Sequence, residues 1–257
     1  MNIRLRRGWW KPWLWSSRTW MLSLVAGMAV SPLVTRWWSL WQIPDVALPF
    51  DVKEFIGPPV PRDEDALFKY EHAAAMLAQN SPIWWQVAAE ESQSDGGKWD
   101  PRLDEWLLSH AETLAALKLA SECERISNSG FSPFRSNPTF GGELRQLMRL
   151  SQVKAQSYER AGDSEQAWTW HRVSLLIAHH AECRGMLIDY LIGSAIRSSA
   201  CHSIRRWASR PATTAAQIRQ GRADLLELTS DRPLLSDIMR GEYLYAQASL
   251  ESLAGAE

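Results

Sequence analysis

The sequence predicts an all-α fold: a single N-terminal transmembrane helix, a Pro-rich linker, and antiparallel helical hairpins forming a bundle or short superhelix. Three observations carry this. Leu144, Leu147, Met148, Ser151, Ala155 and Tyr158 recur at spacings of 3-1-3-4-3, which puts them on one face of a helix. Capping residues and breakers (Gly162-Asp163, Asp100-Pro101, Thr214 with Gln217) separate such stretches. Long runs of period-2 alternation with β-branched residues are absent from the body of the chain.

The first element lies within residues 19–41. No charged residue stands between Arg18 and Arg36. That run is at the short end of the roughly 17–25 residues that span a bilayer core, and Trp37, Trp38, Leu40 and Trp41 lengthen it. Trp9, Trp10, Trp13, Trp15 and Trp20 precede it, so indoles flank both ends as interfacial belts do. Arg4, Arg6, Arg7, Lys11 and Arg18 lie before it with no acid among them. The positive flank stays cytoplasmic, so residues 1–18 are expected inside and the rest of the chain outside the cytoplasm. The alternatives are a cleaved signal peptide, with Gly27–Ala29 as its small-x-small pair, and a buried core helix.

Residues 42–62 follow, with Pro44, Pro49, Pro58, Pro59 and Pro61. Proline removes an amide donor and holds its predecessor extended, which predicts a stiff linker rather than a helix. The helical domain spans 63–257. Asp63 is the expected N-cap of a helix whose face is Leu67, Tyr70, Ala74 and Leu77. Ser81-Pro82 opens a short helix over 83–91, and Asp100-Pro101 opens a longer one to about Cys123. Residues 124–142 read as a long break carrying Phe131, Phe134 and Phe140, and a loop of that length is commonly functional or lid-like. Gly162 closes the next helix and Asp163, with Gln166 three residues on, caps its successor. A two-residue break between long helices demands an antiparallel hairpin. Three further helices are expected, over about 185–208, from Thr214 to Leu228, and from Pro233 or Ser236 to about Leu253.

The formal net charge of −1 hides an asymmetry. Residues 1–36 hold six of the 28 basic side chains and no acid, so the remainder sets 22 basic against 29 acidic ones, a net of −7. This gives nucleic-acid binding no electrostatic support. Cys123, Cys183 and Cys201 contain no CxxC pair and form no closed disulfide framework by count.

Tyr158, Gly162, Asp163 and Ala167 resemble the turn region of a tetratricopeptide repeat, in which a glycine closes the first helix and a small residue lets the second approach; the likeness covers one repeat of about 34 residues. The overall layout, with the anchor, PFDVKEFIGPPVPRDEDALFKY, WLLSHAETLAALKLAS and the GDSEQAW hairpin, resembles a family of uncharacterised bacterial envelope proteins. That resemblance implies location and fold, and no activity.

Two groups of residues are candidate sites. His179 and Cys183 are i,i+4 on one helix, and Cys201 lies on the next, a nitrogen–sulfur set that zinc accepts. The competing reading is a helix interface with a buried thiol and satisfied imidazoles. Between Asp189 and Asp224 there is no acid, while Arg197, Arg205, Arg206, Arg210, Arg219 and Arg222 give a local charge of +6. Such a segment fits an anionic partner or pairs internally with acidic helices. The GxSxG, Walker, GxGxxG, HExxH and CxxCH motifs are all absent, and no cofactor is expected. The expectation is a non-enzymatic, membrane-anchored helical protein of the cell envelope. It would contact the bilayer through 19–41 and a protein or anionic envelope partner through Phe131, Phe134, Phe140, Arg197, Arg205, Arg206 and Arg210. The alternative is a metal-dependent enzyme using His179, Cys183 and Cys201, with the 124–142 segment as lid.

Overall fold

The structure, a computed structural model, describes residues 50–93, 98–127 and 140–254. The expected anchor over 19–41, the segment 1–18, the first part of the linker, and Phe131 and Phe134 lie outside the described residues. Among the described residues no helix is long and apolar enough to cross a membrane. The chain divides into two units, 1–57 and 58–257.

In the first unit the linker is not extended throughout. Helix α1, Val52–Ile56, fits between Pro49 and Pro58 because Asp51 accepts hydrogen bonds from the Lys53 and Glu54 amides. Gly57, at φ 70°, ends it. The prolines bound this turn without entering it.

The second unit is all-α. Its helices are α2 (Ala66–Asn80), α3 (Trp84–Gln93), α4 (Arg102–Ser109), α5 (Ala111–Ser121), α6 (Phe140–Ala161), α7 (Ser164–Glu182), α8 (Leu187–Ala208), α9 (Ala215–Ser230) and α10 (Leu235–Ala254). The N-cap of α2 is Asp65 rather than Asp63. One Asp65 oxygen accepts from the Leu67 and Ser127 amides at 3.0 Å, and the other accepts from the Ser127 hydroxyl at 2.7 Å. A cap that also ties down the chain beyond α5 outcompetes one that only caps. The expected helix from Pro101 to Cys123 bends at His110 (φ −106°, ψ 23°). His110 is buried against the Trp106 ring, its Nδ1 bonds the Trp106 carbonyl at 2.9 Å, and its Nε2 lies 3.3 Å from the Ser81 hydroxyl. A side chain inserted into the helical ladder is a sufficient cause for the bend.

Helices α6 and α7 form the expected antiparallel hairpin. Gly162 takes φ 79°, and the Asp163 carboxylate accepts from the Gln166 amide at 3.0 Å. The opposed order of the contacts Ser151–Ser174 (2.6 Å between hydroxyls) and Glu159–His171 (2.9 Å) fixes the antiparallel sense. Helix α8 returns along α7 in the same way, as Glu182–Arg197 and Trp168–Trp207 show. Helix α7 therefore lies between α6 and α8, and residues from Ala167 to Glu182 are buried on most of its circumference. The approach of α8 depends on Gly193. A Cβ there would stand 2.6 Å from Glu182 Cγ, 2.7 Å from the Ala178 carbonyl oxygen and 2.8 Å from the Glu182 amide nitrogen.

Two of those three neighbours are backbone atoms and cannot yield locally. Gly193→Ala is therefore expected to destabilise the protein by roughly 1–3 kcal/mol, although alanine is the better helix former. Urea denaturation followed by far-ultraviolet circular dichroism checks this, and an unchanged or raised midpoint would contradict the close packing of α7 and α8.

Candidate functional site

Half of the arginines in the basic segment pair with acids of the fold. Arg197 is buried and forks onto Glu182, Nε to Oε1 at 3.0 Å and NH2 to Oε2 at 2.7 Å. Arg232, from the α9–α10 connection, reaches the same carboxylate at 3.1 and 3.2 Å and donates to the Tyr190 hydroxyl at 2.9 Å. Arg210 donates to Glu159 at 3.3 Å, and Arg206 stands 4.0 Å from the same oxygen. The other Glu159 oxygen receives the buried His171 Nε2–H at 2.9 Å. Arg197 is thus not a partner-binding surface residue. The acids that meet this segment are Glu159 and Glu182 of the neighbouring hairpin, not those of the earlier acidic helices. Arg205, Arg219 and Arg222 stay exposed.

Phe140 likewise belongs to the interior. It is the first residue of α6, is 1% exposed, and lies under the Arg184 guanidinium at 4.6 Å. Arg184 also bonds Asp189 at 3.3 Å; burial lowers the arginine pKa and raises that of the aspartate.

His179 and Cys183 do meet, with Cys183 Sγ 3.7 Å from His179 Nε2. Burial pushes the Cys183 thiol up to about 11, reinforced by the Asp231 and Glu182 charges, so it is a protonated thiol. Burial also lowers the His179 pKa. Among the described residues no group of three His, Cys, Asp or Glu side chains is placed to hold a metal ion. His180 sits in a separate buried relay. Its Nε2 lies 2.9 Å from the Cys123 carbonyl, which can only accept, so Nε2 carries the proton and Nδ1 accepts from the Tyr70 hydroxyl at 2.9 Å. Burial lowers the His180 pKa to about 4, with His179 adding to the effect, and burial raises that of Tyr70. Lys69 Nζ donates to Cys123 Sγ at 3.1 Å beside this relay.

The outward stripe of α7 has a different character. Glu165, Trp168, Thr169, Arg172, Val173 and Leu176 form the floor of a groove of about 690 Å³. Lys118 and Ser121 of α5, with its C-cap Glu122, make one wall, and Ala216, Gln217, Gln220 and Asp224 of α9 the other. The α9 wall is held to the floor at Trp168, and its Leu225 and Leu228 pack against the apolar cluster that includes Ala167 and Leu175. Trp168 Nε1 donates to Asp224 Oδ2 at 2.9 Å, Gln220 donates to the other Asp224 oxygen at 2.7 Å, and Gly221 lies on the Trp168 ring, where a Cβ would be 3.1 Å from ring carbons. Among the described residues Lys118, Arg172, Glu122 and Glu165 have no ion-pair partner. The volume falls within the roughly 300–1,000 Å³ of ligand pockets. Sequence reasoning missed this groove. On α7 alone the stripe mixes charge with one indole and reads as a solvated face, and no local signal links it to α5 and α9. The chain matches no family model, no curated protein and no solved structure.

The His180 relay has a pH consequence. The folded pKa, about 4, is below the ordinary 6.5, so the unfolded chain binds the extra proton. This contribution to stability is complete above about pH 6.5 and is lost as the pH falls towards 4, at roughly 1.4 kcal/mol per unit within that window. Denaturation midpoints measured from pH 7.5 to 4.5 are expected to fall more steeply for the parent protein than for His180→Gln. Parallel curves would contradict the relay.

Proposed function

We propose that this protein is a membrane-anchored, extracytoplasmic helical scaffold that holds a segment of a partner protein in the groove of α5, α7 and α9. The groove carries this reading: its floor is the helix most enclosed by the rest of the domain, while Lys118, Arg172, Glu122 and Glu165 on its lining have no ion-pair partner among the described residues. A site with a rigid base and unspent polar groups suits recognition better than chemistry. The anchor over 19–41 would keep the domain near the bilayer with residues 1–18 in the cytoplasm, as the charge asymmetry of the N-terminal segment supports. The α6–α7 hairpin, with α8 stacked against it, supports a tetratricopeptide-like arrangement, in which stacked hairpins leave a channel for a peptide. The exposed Arg205, Arg219 and Arg222 supply a basic outer face for an anionic component of the envelope.

A photo-crosslinking residue at Thr169, in the full-length protein in its native membrane, tests the groove. A discrete adduct identified by mass spectrometry is expected there, reduced at least several-fold by Arg172→Glu, and absent when the crosslinker sits at exposed Leu108. Identical adducts at both positions, or none at Thr169, would overturn the reading.

A further inference from the structure

The dimensions and charge layout of the groove say how a partner would lie in it, an inference that rests on the groove being the binding site. The floor runs from Glu165 to Leu176, twelve residues of helix whose eleven steps span about 17 Å at 1.5 Å per residue. An extended chain covers about 17 Å with five residues.

The polar groups favour an extended chain over a helix. Gln217 Oε1 accepts from the Thr214 amide at 2.8 Å, which leaves its NH₂ group as a donor. Gln220 Nε2 is spent on the Asp224 carboxylate, which leaves its carbonyl oxygen as an acceptor. One donor and one acceptor, three residues apart on the same wall, match the C=O and N–H of an extended backbone, both of which a helix keeps for itself. The charges are also separated. Arg172 stands towards one end of the floor and Glu165 at the other; Asp224 is occupied by Trp168 and Gln220. Arg172 and Glu165 are seven residues apart, about 10 Å along the helix, which one three-residue turn of a polyproline II chain nearly spans while bringing its first and fourth side chains to the same side.

We infer that the groove binds an extended, polyproline II-like peptide segment of roughly five residues, bearing an acidic and a basic residue three positions apart, with an apolar side chain over Val173 and Leu176. The acid meets Arg172, the base meets Glu165, and Gln217 and Gln220 take the intervening backbone.

The test uses the full-length protein in lipid nanodiscs and two phage-displayed libraries, one of linear heptapeptides and one of helical hairpins with a randomised face. Enrichment of linear sequences with oppositely charged residues three apart is expected. The synthetic consensus peptide should lose at least tenfold in affinity on Arg172→Glu, a change at an exposed site that leaves the circular dichroism spectrum unaltered. Affinity should return when the peptide's acid is replaced by lysine. Enrichment confined to the helical library, no enrichment in either, or affinity indifferent to Arg172→Glu would overturn the inference. A Thr169 adduct in membranes alongside any of these results removes the extended mode alone. Loss of that adduct as well removes the groove.

Discussion

The enclosure of α7 is the constraint on which the rest of the domain depends. Helix α6 covers one side of it through Ser151 and Glu159. Helix α8 covers another at a distance only Gly193 permits. Glu182 at its end is fully buried between Arg197 and Arg232, so three separate parts of the chain converge on one carboxylate. Removing one partner of such a buried pair costs about 3–5 kcal/mol, because it strands a charge in a medium that cannot solvate it. The arrangement has a direct consequence for recognition. A helix that is packed on its other faces is a fixed floor, and the stripe it leaves open keeps its geometry whatever binds there.

The two glutamates also explain why an arginine-rich segment can sit in a domain of net acidic charge without forming one large basic patch. Of its six arginines, Arg197, Arg206 and Arg210 are drawn to Glu159 and Glu182. Arg205, Arg219 and Arg222 remain outside. Internal pairing fixes α8 against α7, and the remainder supplies surface charge.

How much of this was legible in the sequence follows from the range of the signals. Caps and breakers act within four residues, so Gly162, Asp163 and the Thr214–Gln217 capping box are found where the sequence places them. The all-α class follows from the same local patterns. Where a distant partner decides, local reading falls short. Asp65 displaces Asp63 as cap because Ser127, 62 residues away, bonds to it. His110 bends its helix because Ser81 and Trp106 hold it. Arg197 leaves the surface because Glu182 is there to meet it. The groove is the extreme case. Its floor is a stripe of unremarkable polarity, and it becomes a site only when α5 and α9, about 50 residues to either side, stand over it.

The claim that α7 is a rigid floor is open to one direct measurement, hydrogen exchange of backbone amides in the full-length protein. If α7 is enclosed as described, its amides between Ala167 and Ala181 exchange only through global unfolding and are the slowest in the domain, while those of α9 and α10 exchange faster through local opening. Exchange across α7 as fast as that of α10 would contradict the account, because the helix would then be neither enclosed nor fit to serve as a fixed base for recognition.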